Sequence, residues 1–305
     1  MRYWKPAPGV GIWIGVLFLI VTLGAAGWLL VQLASIFRQP PEQWQVDLTV
    51  FGYLVALVGL LLLIGWLGYR LAAALTLSYA MDRNGLYIIW IGNRAVVPIT
   101  QIESLDRGGS GLQVPMLPLR NIGYYSGSGR TGDGKRLHLF TTQTLAKSLI
   151  VYLEHEAYAV SPADQEAFVM ELEQRRRLGA IQSLKPTVEP GRLLLYAFWN
   201  DAVVRWALIA ACALNLLLIG ILFTSYADLA LQLPMRFDAA GDVAELRPRH
   251  QILFLPLAAF VLSLLNTALG LSLYRSSRVG AQLLQIGSVL VQVLFGVAAL
   301  AIMLG

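Results

Sequence analysis

The chain has 305 residues, of which 57% are apolar and only 13% are charged, and its formal net charge is +5. Soluble domains carry about 25% charged residues, so this composition predicts an integral membrane protein. The single cysteine excludes an intrachain disulfide and a cysteine-based metal site, and the lack of a long basic run interleaved with aromatic residues argues against nucleic-acid binding.

Two apolar segments near the N-terminus are each long enough to cross a bilayer. Residues 9–37 and 48–69 contain no Asp, Glu, Lys or Arg. A helix rises about 1.5 Å per residue, so about 20 residues span a hydrocarbon core of roughly 30 Å. The apolar region of a cleavable signal peptide is only about 7–15 residues long, so the first segment is predicted to be a retained helix. The two segments form a predicted transmembrane hairpin over residues 1–74.

Residues 75–179 have the pattern of a β-rich soluble domain. Leu75–Met81 alternates apolar and polar residues, as a half-buried strand does. The following Asn84-Gly85 predicts a tight hairpin, because both residues accept positive φ. A second turn is predicted at Gly92-Asn93. Further strands are predicted at 86–91, 95–99, 122–125, 137–141, 149–153 and 157–160.

One helix is predicted to close this domain. Ser161 would cap the helix, Pro162 would occupy its first position, and Gly179 would end it. The buried stripe of the helix is predicted to contain Phe168, Val169 and Leu172.

Three stretches of the soluble domain resemble the bacterial pleckstrin-homology (PH) domain family. They are Y-A-M-D-R-N-G-L at 79–86, V-P-I-T-Q-I at 97–102 and Y-A-V-S-P at 158–162, the last followed by Phe168. The resemblance implies an α+β fold, a PH-like β-barrel or sandwich capped by one C-terminal helix. It does not imply phosphoinositide binding, which this bacterial family does not generally share.

The remainder of the chain is predicted to be a linker at 180–205 and a C-terminal transmembrane domain at 206–305. Three apolar spans, at 206–227, 251–274 and 279–305, bring the predicted number of transmembrane helices to five.

The C-terminal spans carry a second resemblance. Residues 231–242, followed by an apolar run with Pro256 and Asn266, resemble a membrane segment of uncharacterised bacterial proteins related to bacteriocin-immunity proteins. That segment usually contains a histidine where this chain has Arg236-Phe237. The resemblance therefore implies an architecture and no function.

The distribution of Lys and Arg near the spans predicts the orientation. With a cytoplasmic N-terminus, eight such residues lie on the inner side: Arg2, Lys5, Arg70, Arg83, Arg192, Arg205, Arg275 and Arg278. Four lie on the outer side: Arg38, Arg236, Arg247 and Arg249. This predicts a multi-pass protein of the bacterial inner (plasma) membrane with its N-terminus and soluble domain in the cytoplasm and its C-terminus outside.

A glycine-rich stretch offers a possible nucleotide site. Residues 127–132 match G-x-G-x-x-G, and residues 129–135 match the G-x-x-x-x-G-K part of a phosphate-binding loop. However, Arg136 stands where the metal-binding Ser or Thr belongs, and a predicted strand follows instead of a helix. The context favours a flexible hairpin tip over nucleotide binding.

Two groups of residues are candidates for contacts. Arg175, Arg176 and Arg177 could contact lipid headgroups or a partner, although cations at a helix C-terminus also offset the helix dipole. The polar residues within the spans could line a conduction path, but such residues more often hydrogen-bond between helices. These residues are Asn215, Asn266, Gln285, Ser288 and Gln292.

These patterns predict a non-enzymatic membrane protein with no catalytic residues, no cofactor and no metal site. Its predicted role is to present the PH-like domain to a protein partner, in contact with membrane lipids, and so to assemble or regulate a membrane complex. The alternative is a transport or peptide-immunity component that uses the last three spans, with Gln285 and Gln292 facing a wet cavity. An enzyme that uses the glycine-rich stretch is a third, weaker interpretation.

Overall fold

The computed structural model describes residues 1–108, 125–182, 184–189, 196–237 and 243–304. The chain divides into two compact units, which we call the N-terminal unit (Met1–Gly24 with Leu61–Leu194) and the C-terminal unit (Ala25–Leu60 with Leu195–Gly305). The elements are β1 (Arg2–Trp4), α1 (Val10–Phe37), α2 (Leu48–Thr76), β2 (Ser78–Met81), β3 (Gly85–Trp90), β4 (Asn93–Pro98), β5 (Ser104–Arg107), β6 (Tyr125–Arg130), β7 (Arg136–Thr141), β8 (Leu149–Tyr152), β9 (Glu156–Val160), α3 (Gln165–Leu178), β10 (Thr187–Glu189), α4 (Tyr196–Asn200), α5 (Ala202–Ser225), β11 (Gln232–Phe237), β12 (Val243–Pro248), α6 (Phe254–Leu273) and α7 (Arg278–Leu304).

Five helices are long and apolar enough to cross a membrane, which confirms the predicted number. They are α1, α2, α5, the segment Arg249–Leu273 that contains α6, and α7. The helix α2 continues past Arg70, where the predicted span ended, to Thr76. The Arg70 side chain is buried, and its guanidinium lies 5.1 Å from the centre of the Trp66 ring. An arginine packed in this way does not interrupt the helix.

The first sheet of the N-terminal unit is antiparallel and has the strand order β1-β2-β3-β4-β10. Its edge strands β1 and β10 were not predicted. The turn at Asn84-Gly85 exists, but neither residue has positive φ, so the predicted mechanism was wrong. The Asp82 carboxylate instead accepts hydrogen bonds from the amides of Asn84 at 2.8 Å and Gly85 at 2.9 Å. This is the Asx-turn chemistry that aspartate supplies.

The next turn uses an unfavourable residue. Ile91 has φ of 43° and Gly92 has φ of 72°, and they connect Trp90 and Asn93, which are paired across β3 and β4. The turn therefore lies one residue before the predicted Gly92-Asn93. A β-branched residue with positive φ is rare, because its side chain crowds the backbone. Sequence propensity alone would not place Ile91 there.

The second sheet has the order β5-β8-β9-β7-β6, with a parallel pair at β7 and β9. The glycine-rich stretch lies largely within β6, which pairs with β7, so the predicted hairpin is present but Gly127 and Gly129 are in the strand. Its turn is closed by Thr131, whose carbonyl accepts from the Gly134 amide at 2.9 Å. The strand predicted at 122–125 lies outside the described residues except for Tyr125.

Both sheets pack against α3 in one apolar core. The first sheet contributes Met81, Leu86 and Ile88, the second contributes Leu149, Val151 and Val160, and α3 contributes Phe168 and Leu172. Among the described strands no pairing joins one sheet to the other, so the expected barrel is not closed. The sandwich alternative, with α3 against its core, agrees with the structure.

The closing helix starts later than predicted. Asp164 is its N-cap and accepts a hydrogen bond from the Ala167 amide at 3.0 Å. Ser161 does not cap the helix, because its Oγ accepts from the Thr142 amide at 2.9 Å. Its backbone carbonyl accepts from the Ala7 amide at 2.7 Å, which ties it to the N-terminal segment. Gly179 ends the helix with φ of 73°, as predicted.

In the C-terminal unit, helices α5, α6 and α7 pack on one another, and β11 and β12 form an antiparallel hairpin between α5 and α6. Phe51 of α2 contacts Phe223 of α5, with ring centres 6.3 Å apart.

Candidate functional site

The N-terminal segment is bound to the β-sandwich by a group of buried hydroxyls that we call the Tyr79 cluster (Tyr79, Thr142 and Ser161). The Tyr79 hydroxyl donates to the Phe140 carbonyl at 2.7 Å and accepts from the Ser161 amide at 2.9 Å. Thr142 donates through Oγ1 to the Ala7 carbonyl at 2.6 Å. The cluster therefore joins β2, β7 and β9 to the residues that lead into α1.

Burial accounts for the chemistry of this cluster. Desolvation raises the pKa of Tyr79 to about 12, although hydrogen bonds with Ser161 partly offset the rise. The phenol therefore stays protonated and acts as a fixed hydrogen-bond donor. Gly9 packs so closely that a Cβ there would lie 2.0 Å from the Thr142 carbonyl oxygen. Only glycine fits at this entry to α1.

The end of α2 is bound to the same sandwich. Ala73, Ala74 and Leu77 are buried in its core. The helix α2 ends at Thr76 and β2 begins at Ser78, so Leu77 alone lies between helix and strand. The Ile91 amide donates to Thr76 Oγ1 at 2.9 Å, across the strained β3–β4 turn. Two apolar helices, α1 and α2, are thus attached directly to the domain.

A polar groove of about 610 Å³ lies at the end of the second sheet, and we call it the β6–β7 groove. It is lined by Ser128, Gly129, Arg130, Gly134, Arg136, His155 and Glu156. Arg130 and Arg136 are directly opposite each other on the antiparallel strands, and Arg136 is in register with Glu156 on the parallel neighbour. Directly opposite residues project to the same face, so the three charged side chains form one row.

A second polar row lies beside the first. Ser128, His138 and Tyr158 are paired across the same three strands. The His138 and Tyr158 rings stack with centres 4.9 Å apart, and the Tyr158 hydroxyl donates to Glu156 Oε2 at 2.8 Å. Burial lowers the pKa of His138, and the Arg136 charge adds to this, while Glu156 at 3.6 Å opposes it. The Glu156 carboxylate is therefore held in place beside a largely neutral imidazole.

The three arginines of α3 are not equivalent. Arg175 forms an ion pair with Glu171, which also accepts from Arg2 at 2.9 Å. The hydrogen bond from Arg175 lowers the pKa of Glu171, although burial opposes the shift. Arg176 reaches the Glu103 carbonyl at 3.4 Å, and Arg177 is exposed. Contact of this group with headgroups or a partner remains a prediction.

The polar residues predicted within the spans connect α5, α6 and α7. Asn215 donates to Gln292 Oε1 and to the Pro256 carbonyl, both at 2.9 Å. Gln292 in turn donates to the Ala259 carbonyl at 3.0 Å and to Ser263 Oγ at 2.9 Å. Each of these bonds crosses between two helices.

The other three predicted residues form a second set of contacts. Asn266 donates to Ser288 Oγ at 3.2 Å, and Gln285 donates to the Asn266 carbonyl at 3.0 Å. Gln285 is fully buried and Gln292 is 3% exposed. The wet cavity that the transport alternative placed at these two glutamines is therefore absent at both positions.

The sequence analysis missed a buried carboxylate at one end of this bundle. Asp201 caps α5 by accepting from the Val203 amide at 3.0 Å. It also accepts from the Tyr274 hydroxyl at 2.9 Å, Arg278 Nε at 2.7 Å and Gln282 Nε2 at 3.0 Å. Burial alone would raise the pKa of Asp201, but these hydrogen bonds lower it below its ordinary value. An aspartate before an apolar run is an N-cap signal that could have identified it.

Comparisons with known proteins agree with one part of this description. Residues 77–176 match the family model of the bacterial PH domain. No curated protein and no solved structure matches the chain. The match covers the β-sandwich from β2 to α3, and the second resemblance, of residues 231–242, remains a prediction.

Proposed function

We propose that this chain is a non-enzymatic membrane scaffold. It carries a bacterial PH domain at residues 77–176 and has five helices that are apolar enough to cross a membrane. In this proposal the PH domain lies on the cytoplasmic side of the bacterial inner membrane. It binds a protein partner and holds it in a membrane complex.

The observation that carries the proposal is the double attachment of the domain. The Tyr79 cluster binds the segment before α1, and the core of the sandwich contains the last turn of α2. A flexible linker would let a domain explore many orientations, whereas a direct helix-to-strand junction restricts them. A fixed orientation is useful to a scaffold, because it presents one surface of the domain to a partner.

Two buried polar groups, one in each unit, also favour binding over catalysis. The fully buried Tyr79 hydroxyl is committed to hydrogen bonds within the fold. Asp201 is likewise surrounded by donors that keep it ionised and occupied. Such fully bonded groups stabilise a structure, whereas a catalytic base must be able to exchange a proton with its substrate.

An insertion between Thr76 and Leu77 tests the proposal. A Gly-Ser linker of about ten residues would release the domain from α2 without altering its surface. We expect the full-length protein to capture a specific protein from detergent-solubilised host membranes, and the insertion to reduce that capture about tenfold. Quantitative mass spectrometry after crosslinking measures the difference.

The control is the same insertion after Asp228, an exposed residue of the turn that follows α5. It should leave the capture unchanged. If no protein is enriched by the unmodified chain, or if both insertions act alike, the scaffold proposal is wrong.

A further inference from the structure

The β6–β7 groove contains a charge arrangement that the fold itself does not require. Arg130 and Arg136 face each other directly across the hairpin, and like charges in this position destabilise a strand pair. Neither guanidinium forms an ion pair within the described part of the chain. Both line the groove, and both are exposed.

The groove also contains one acceptor of defined position. Glu156 follows Arg136 in the same row, and the Tyr158 hydroxyl donates to it at 2.8 Å. With two arginines and one carboxylate, the row has a net positive charge. Guanidinium groups bind oxyanions through paired hydrogen bonds, while a carboxylate repels an oxyanion unless that anion brings a hydrogen to donate.

We propose that the β6–β7 groove binds a phosphoryl group that carries a hydrogen, as inorganic phosphate or as the monoanion of a phosphomonoester, whose second pKa is about 6. Arg130 and Arg136 bind its unprotonated oxygens, and Glu156 accepts a hydrogen bond from its protonated oxygen. The anion relieves the repulsion between the two arginines. Sulfate, which has no hydrogen to donate at neutral pH, binds less well.

The size of the groove is consistent with this ligand class. Its volume of about 610 Å³ is within the range of small-molecule pockets, about 300–1,000 Å³, and exceeds what phosphate alone needs. A phosphomonoester with a small organic group would therefore fit. This site differs from a nucleotide-binding loop, because β7 rather than a helix follows the glycines.

Titration calorimetry on the full-length protein in detergent tests the proposal with three probes: inorganic phosphate, glycerol 3-phosphate and dihexanoyl phosphatidic acid. The titrations are made at about pH 6, where a large fraction of each probe carries a hydrogen on its phosphoryl group. We expect saturable binding of at least one probe, and weaker binding of sulfate. Binding of inorganic phosphate or glycerol 3-phosphate identifies a free phosphoryl ligand. Binding of the phosphatidic acid alone identifies a lipid headgroup, and both results support the site.

Substitutions then assign the binding to the groove. Arg130→Gln and Arg136→Gln should each weaken binding about tenfold or more, because each removes a charge-assisted hydrogen bond. Glu156→Gln should reduce the preference for phosphate over sulfate. The matched control is Arg83→Gln, an exposed arginine in the turn between β2 and β3 of the first sheet, which should bind like the unmodified protein.

Thermal unfolding gives a readout that does not depend on heat of binding. Without phosphate, Arg136→Gln should raise the Tm slightly, because it removes the like-charge pair. Addition of phosphate should raise the Tm of the unmodified protein more than the Tm of the variant. If none of the three probes binds, or if both arginine variants bind like the unmodified protein, the proposal is wrong. Since no partner protein is present, this result is independent of the scaffold experiment.

Discussion

The β-sandwich and the C-terminal helices use polar groups in opposite ways. The core of the sandwich is apolar, and the buried hydroxyls of the Tyr79 cluster lie where α1 is attached. The helices α5, α6 and α7 instead bury amides between them, with Asn215 bonded to Gln292 and Gln285 bonded to the Asn266 carbonyl. The N-terminal unit therefore uses buried hydroxyls to hold the segment before α1, whereas the C-terminal unit uses buried amides to join its helices.

The solvent explains this difference. In water, burial of apolar surface drives sheets and helix together, at about 25 cal/mol per Å². Lipid tails are as apolar as leucine, so helices in a membrane gain little from that effect and associate through close packing and hydrogen bonds. We therefore expect apolar truncations to be most damaging in the sandwich and polar ones to matter most in the helices.

The largest effect should come from Phe168→Ala. The Phe168 ring is fully buried and contacts the Trp4 ring at 5.6 Å and the Tyr79 ring at 6.2 Å. Its loss leaves a cavity, and we expect the free energy of unfolding of the domain to fall by about 4 kcal/mol. Denaturant unfolding followed by tryptophan fluorescence measures it. Met170→Ala, an exposed position on the same helix, is the control and should change little.

Asp201→Ala should have the next largest effect, on the C-terminal unit. The change removes the cap of α5 and leaves the donors of Tyr274 and Gln282 without their acceptor. We expect a loss of about 2–3 kcal/mol, measured by unfolding of the helical bundle in mixed detergent micelles. Asp228→Ala, at an exposed aspartate, is the control; an equal loss there would contradict the assigned role of Asp201.

Acid should weaken the same site. The pKa of Asp201 is lowered in the folded protein from an ordinary value of 3.8, so its ionised form stabilises the fold above that pH. This stability is lost as the pH falls below 3.8 towards the lower pKa of the folded state. Asp201→Asn still caps α5 but cannot ionise, so the drop in Tm on acidification should be smaller in this variant than in the unmodified protein.

The smallest effect should come from Gln292→Leu. This change removes the bonds to Asn215, the Ala259 carbonyl and Ser263, but it introduces an apolar side chain of similar size. Hydrogen bonds between membrane helices average about 0.6 kcal/mol, so we expect a loss of about 1 kcal/mol. Ser272→Ala is the control, because the Ser272 hydroxyl donates to the Leu269 carbonyl of its own helix, and this change should cause no loss.

Several features of the site were beyond reach of local sequence patterns. The N-terminal strand β1 was not predicted, because residues 2–4 acquire a partner only when β2, far along the chain, is in place. Ser161 looked like a helix cap, yet its Oγ accepts from the Thr142 amide on the neighbouring strand end. Its carbonyl accepts from the Ala7 amide, a contact across more than half of the chain. Arg130 and Arg136 meet only because β6 and β7 form a hairpin with a defined register.

The amino-acid sequence by itself determined the five apolar helices, the strands from β2 to β4 and from β7 to β9, and the end of α3 at Gly179. These features depend on composition, periodicity and the φ preference of glycine, which neighbouring residues set. The tertiary structure alone decided that the sheets stay open, that Asp201 accepts bonds from Tyr274 and Arg278, and that a groove carries two facing arginines. Those outcomes depend on strand register and on contacts between distant segments, which no local pattern encodes.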